Sequence, residues 1–170
     1  MKQVIIVAKS DNNVIGSGGE LPWSLPADLA FFRQQIEGCY LLSGRRSYES
    51  EQGKEIFLGK DFVLITHQKG YRAKGGKIAH SIEAGIAMAQ KDGAQRLCIL
   101  GGAEIYRQTI NTVDELVVTE VHATLEGDAF FPAIDSTIWQ EAQREDHQKD
   151  ADNPYDYSFV WYQRRDGVNG

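Results

Sequence analysis

Two cysteines in 170 residues are too few for a disulfide framework or a cysteine-built metal centre. Cys39 and Cys98 each sit in a short apolar run and read as buried free thiols. No apolar run approaches the length of a membrane span, and the first residues lack the charged-then-apolar pattern of a secretory leader. The expectation is a cytoplasmic protein with no membrane partner. Positive charge is also in short supply: 18 Lys and Arg stand against 24 Asp and Glu, for a net charge of −6 and a pI near 5.2. That balance argues against a nucleic-acid partner, which would draw on clustered basic side chains. The basic residues from Lys69 to Lys77 alternate with glycine and read as a solvated connection. Internal repeats and low-complexity tracts are missing, and so is the three-glycine fingerprint of an ordinary dinucleotide fold.

What is present suffices for one core. With 42% hydrophobic residues the chain fits a single domain over 1–165, with a frayed tail at 166–170. Val4-Ile5-Ile6-Val7 is a continuous β-branched run, which suits a strand buried on both faces. Further strands are predicted at 39–42, 62–66, 77–79 and 97–100, alternating with helices that follow Pro26, Ser81 and Gly102. Such alternation calls for a mainly parallel sheet with helices on both faces, an α/β fold. From Glu115 the rhythm changes. A strand at 116–119 is followed by two more near 141–147 and 157–164, joined by the turn-rich 149–154, which predicts an antiparallel hairpin at one sheet edge. Lys9 to Glu20, rich in Asn, Ser and Gly, reads as a long mobile loop.

The stretch from Leu21 to Phe32 holds a carboxylate inside a run that otherwise reads as core. Pro26 suits the first position of a helix running toward Glu37, on which Leu25, Leu29, Phe32 and Ile36 fall three or four apart and form one apolar stripe. Asp28 lies on that stripe. Two readings stay open: a first-turn acid meeting the helix dipole, or a pocket carboxylate whose pKa burial has raised.

Gly44-Arg45-Arg46-Ser47 and Gly101-Gly102-Ala103 each follow a strand and open a helix. Backbone N–H groups at such turns meet phosphate, and a pair of them at the carboxyl ends of parallel strands suits a pyrophosphate lying across both. Thr66-His67-Gln68 ends a third strand, where a hydroxyl and an imidazole could join Arg45 on an additional phosphate such as the 2′-phosphate of NADP. By itself His67 reads as a loop histidine before it reads as a ligand. Spacing does not decide whether Tyr106 belongs to core or pocket. Trp23 and Trp161 read as core aromatics whose N–H groups need partners.

Taken together these residues resemble the bacterial dihydrofolate reductase family. The resemblance is carried by Val14-Ile15-Gly16, Leu21-Pro22-Trp23, Leu25-Pro26-Ala27-Asp28-Leu29, Gly44-Arg45-Arg46-Ser47-Tyr48-Glu49-Ser50, Leu100-Gly101-Gly102-Ala103-Glu104-Ile105-Tyr106, and Glu126-Gly127-Asp128 before Phe131-Pro132. It implies an eight-stranded, mainly parallel sheet and reduction of 7,8-dihydrofolate by NADPH in a monomer that also binds antifolates. Asp28 would bind the pterin N3 and 2-amino group, and Thr119 would support it. Leu29, Phe32, Phe57 and Leu100 would pack on the pterin and aminobenzoyl rings, while Ile6 and Leu100 would offer main-chain carbonyls. Trp23 would help hold a pocket water, Leu21 would belong to the loop over nicotinamide, and Tyr106 would complete the catalytic set. Ala8 and Ile15 would line nicotinamide. Arg45 and His67 would serve the 2′-phosphate region and Ser47, Gly101, Gly102, Ala103, Glu104 and Ile105 the pyrophosphate, with Gly44, Arg46, Thr66 and Gln68 completing the cofactor site. In this family Gly101-Gly102 is joined by a cis peptide.

The sequence departs from the family in three places. Lys60 stands where an arginine normally grips the substrate's glutamate, and a point charge replaces a planar fork. Glu104 stands where an arginine often adds charge near the 2′-phosphate, which shifts NADPH preference toward Arg45. Glu51-Gln52-Gly53-Lys54-Glu55 is more polar than the usual segment. Competing readings are a same-fold reductase of another pterin or a pyrimidine, and a pterin-binding module without turnover.

Overall fold

The computed structural model describes residues 1–50 and 53–165, so the expected fraying at 166–170 and the start of the polar 51–55 stretch lie outside the described residues. Its strands are β1 (Lys2–Ser10), β2 (Val14–Gly16), β3 (Tyr40–Gly44), β4 (Phe62–Ile65), β5 (Lys77–Ala79), β6 (Arg96–Ile99), β7 (Glu115–Val121), β8 (Ala129–Phe130), β9 (Trp139–His147) and β10 (Tyr157–Arg164). The helices are α1 (Pro26–Ile36), α2 (Arg45–Glu49), α3 (Gly53–Ile56), α4 (Ile82–Lys91) and α5 (Ala103–Thr109). Eight strands form one sheet in the order β5-β4-β3-β6-β1-β7-β10-β9. Every pairing from β5 to β7 is parallel, and β10 runs antiparallel to both neighbours, which gives the expected edge hairpin.

Strand alternation divides the core between the two faces. Val4 and Ile6 of β1 pack with Ile36 of α1 and with Phe57, whereas Ile5 and Val7 pack with Ile82 and Ala89 of α4 and with Ile105 and Tyr106 of α5. Helices therefore cover both faces, and the carboxyl ends of the parallel strands are left to form a cleft. Ser81 caps α4 as expected, its side chain accepting from the Ala84 N–H.

The segment from Lys9 to Glu20 differs from the mobile loop expected. β1 extends through Ser10, and β2 pairs antiparallel with β8 in a small second sheet. Between them, Asn12 both accepts the Leu125 N–H (3.1 Å) and donates to the Leu125 carbonyl (2.8 Å), while Asn13 takes φ +66° in the turn. Three residues are too few to show period-two alternation, and their partner lies far along the chain.

Candidate active site

The cleft has a volume of about 1580 Å³ and opens at the carboxyl ends of β1, β3, β4 and β6. Ligands in open parallel sheets sit at this edge because the connecting loops converge there. α1 supplies one wall. Leu25 and Ile36 of its apolar stripe are buried, but Leu29 and Phe32 are only half-buried and face the cleft. Phe31, one position off the stripe and also on the cleft wall, stacks on Phe159 at 3.9 Å and meets Trp161 edge-on at 5.6 Å.

Asp28 is 8% exposed and is the one buried acid among the described residues. Burial pushes its carboxyl up to about 6, opposed by the hydroxyl of Thr119 on β7. It does occupy the first turn, so one reading's position is correct, but its burial and raised pKa are those of a pocket group. Trp23 lines the same cleft, with Nε1 buried and no hydrogen-bond partner among the described residues. At the far side Tyr106 donates to the Ile6 carbonyl at 2.9 Å, and burial holds its phenol well above the ordinary range.

The two glycine turns touch. The Gly44 N–H donates to the Gly101 carbonyl at 2.7 Å, and Gly101-Gly102 is a cis peptide. Gly101 has φ +95°, and a Cβ there would come within 2.6 Å of the Tyr106 ring, so only glycine fits. A Cβ on Gly102 would meet nothing nearer than Ser47 Oγ, at 4.0 Å, which leaves the space between the turns open.

Beyond them Arg45 pairs with Glu49 at 3.3 Å, and Thr66, His67 and Gln68 follow β4 along the same wall. Glu104 forks onto Arg107 and bonds Gln108 at 2.8 Å, and these contacts hold its carboxyl down to about 2. All the expected site residues line the cleft except Gly101, which stands behind the turn, and Lys60. Lys60 follows α3, where its N–H donates to the Phe57 carbonyl at 3.1 Å.

The family profile described as dihydrofolate reductase matches residues 2–164. The chain belongs to the dihydrofolate reductase family. A dihydrofolate reductase of Neisseria meningitidis serogroup A is 39% identical over 164 residues, covering 96% of this chain and 99% of the relative. The Bacillus subtilis dihydrofolate reductase is 32% identical over 160 residues, covering 94% and 93%. Among solved structures, the dihydrofolate reductase of Enterococcus faecalis complexed with NADP(H) and RAB-propyl superposes with a TM-score of 0.85, at 31% identity and 97% coverage of each chain.

Several cleft residues of this dihydrofolate reductase family member escape a reading of its sequence. His80 and Ser81 line it just after β5, with His80 Nδ1 2.7 Å from the Thr66 carbonyl. Asp128 lines it too, accepting the Gly18 N–H at 3.2 Å. The rule that places sites at strand carboxyl ends would have pointed to the residues after β5; Asp128 stands in the Glu126-Gly127-Asp128 motif, but nothing in that motif said that it reaches the cleft.

Proposed function

We propose that the chain reduces 7,8-dihydrofolate to 5,6,7,8-tetrahydrofolate with NADPH, hydride going to C6 and a proton to N5. The observation that carries this reading is Asp28, a carboxylate buried in an apolar wall yet open to the cleft. A buried carboxylate is costly until a donor pair satisfies both oxygens, and the N3–H and 2-amino group of a pterin form such a pair. Protonated diaminopyrimidine antifolates offer the same pair.

Leu29, Phe32, Phe57 and Leu100 pack on the two rings of the substrate, and the Ile6 and Leu100 carbonyls accept from the pterin amino group. Thr119 steadies Asp28, Trp23 Nε1 donates to a pocket water, and Leu21 closes over the reacting ring to exclude bulk solvent. Asp28 anchors the ring and tunes its protonation while solvent carries the proton to N5. Lys60 meets the glutamate tail from beyond the cleft.

The residues fit NADPH. The open gap between Gly102 and Ser47 accommodates a pyrophosphate, with Gly44, Ala103, Glu104 and Ile105 around it. Arg45, Arg46, Thr66, His67 and Gln68 form the wall for the 2′-phosphate, and Ala8 and Ile15 line the nicotinamide end. When bound, the dihydronicotinamide supplies the hydride. The reading takes 1–165 as one folded unit working as a monomer, with the catalytic cleft built at the carboxyl ends of its own parallel strands. Two buried free thiols suit the cytoplasm, and a net charge of −6 suits the absence of nucleic acid.

The test is NADPH oxidation with and without dihydrofolate, repeated with a diaminopyrimidine. Oxidation that requires dihydrofolate and stops with the inhibitor supports the reading. Oxidation indifferent to dihydrofolate, or none at all, refutes it.

A further inference from the structure

Arg45 does not stand alone on the cleft wall. Its NH1 donates to Glu49 Oε1 at 3.3 Å, one helical turn along α2. The other carboxylate oxygen of Glu49 accepts the Tyr71 hydroxyl at 2.5 Å, across from the connection between β4 and β5. The guanidinium carbon of Arg45 lies 5.9 Å from the centre of the Tyr71 ring, at cation–π range. Burial and the neighbouring Glu49 hold the Tyr71 phenol up at about 12, so it remains a donor across the neutral range. The three side chains close a triangle whose only member on the cleft is Arg45.

We infer that Glu49 and Tyr71 are positioning residues for cofactor selectivity: together they aim the Arg45 guanidinium at the phosphate monoester that distinguishes NADPH from NADH. The inference rests on the proposed role of Arg45. An arginine side chain is long and its freedom must be surrendered when it grips a dianion, so a site that holds it beforehand binds more tightly. Glu49 engages one nitrogen of the five-donor fork, which leaves the planar group further donors to turn toward the cleft. Tyr71 fixes Glu49 from the opposite side and supports the flat face of the guanidinium. Elsewhere along the wall, Glu104 holds Arg107 within α5, so the cation of that helix is directed at its own carboxylate.

The test measures NADPH and NADH dissociation constants from quenching of tryptophan fluorescence, without substrate, in the intact chain. Arg45→Gln is expected to weaken NADPH by about tenfold or more and NADH by less than about twofold. Tyr71→Phe and Glu49→Ala are each expected to weaken NADPH by about two- to fivefold with NADH unchanged, and Glu49→Gln, which keeps an acceptor for Tyr71, should recover most of the loss. If Arg45→Gln weakens NADPH selectively but Tyr71→Phe and Glu49→Ala do not, the positioning role is overturned while the role of Arg45 stands. Equal losses for both cofactors would mark a structural effect and overturn it as well. If Arg45→Gln itself leaves the ratio unchanged, both statements fall.

Discussion

The Tyr106 hydroxyl donates to the main-chain carbonyl of Ile6 at 2.9 Å, tying α5 to β1 inside the cleft. The phenol is buried and held far above its ordinary range, so it acts on the site through Ile6 rather than as an acid. Tyr106→Phe leaves that carbonyl with one partner fewer, and should cost about 1–2 kcal/mol in urea unfolding. The pH profile of turnover should keep its shape. A profile that loses its acidic limb would show Tyr106 moving a proton.

Asp28 makes stability depend on pH in an unusual direction. Its carboxyl titrates near 6 in the folded chain against an ordinary 3.8, so the folded state binds the proton more tightly than the unfolded one. The burial cost is absent below the ordinary value, grows as pH rises toward 6, and is complete above it, at up to about 3 kcal/mol. Asp28→Asn should therefore be more stable than the parent at pH 8, by about 1–3 kcal/mol, and nearly equal to it at pH 4. Denaturant midpoints at the two pH values check this.

Gly127 lies against β2 so closely that a Cβ would stand 2.4 Å from Val14 Cγ1 and 2.5 Å from the Gly16 carbonyl. The same approach brings the Asp128 N–H to the Gly16 carbonyl (3.0 Å) and the Gly18 N–H to the Asp128 carboxylate (3.2 Å), just before Leu21. Gly127→Ala should cost about 1–3 kcal/mol through overpacking and, by displacing the segment that leads to Leu21, lower turnover about ten- to a hundredfold. Thermal melts and steady-state rates on one preparation separate the two effects.

Lys60 offers a compact charge from outside the cleft. If it meets the glutamate tail, Lys60→Arg should lower KM for dihydrofolate by about two- to fivefold, because a planar fork pairs with a carboxylate through two bonds. The KM for a dihydropterin without the tail should not move. A shift in both would place Lys60 elsewhere in the site.

Much of this architecture was legible because local pattern and tertiary role agree. The unbroken Val4–Val7 run could only be a strand covered on both sides, and Ser81 before an apolar period marked the start of α4. Periodicity also put Asp28 on the inner side of α1. It did not say what that side touches: Leu29 and Phe32 line the cleft, and Phe31, which lines it too, stacks on Phe159 and meets Trp161, because helical spacing gives a direction but not the neighbour found there. β2 was illegible for another reason. A three-residue strand has no period of its own and exists through β8 and the Asn12 bonds to Leu125. The hold of Glu104 on Arg107 was open to an i,i+3 reading, and it changes the meaning of that acid from a lost cation to a locally neutralised pair.

The central claim is that Asp28 anchors the pterin as a carboxylate, and the most direct measurement is the pH profile of dihydrofolate turnover for Asp28→Asn beside the parent. The variant should lose most turnover at neutral pH, by about a hundredfold or more, and recover part of it in acid, where solvent supplies the proton. Unchanged turnover at neutral pH would remove Asp28 from the mechanism and contradict the account.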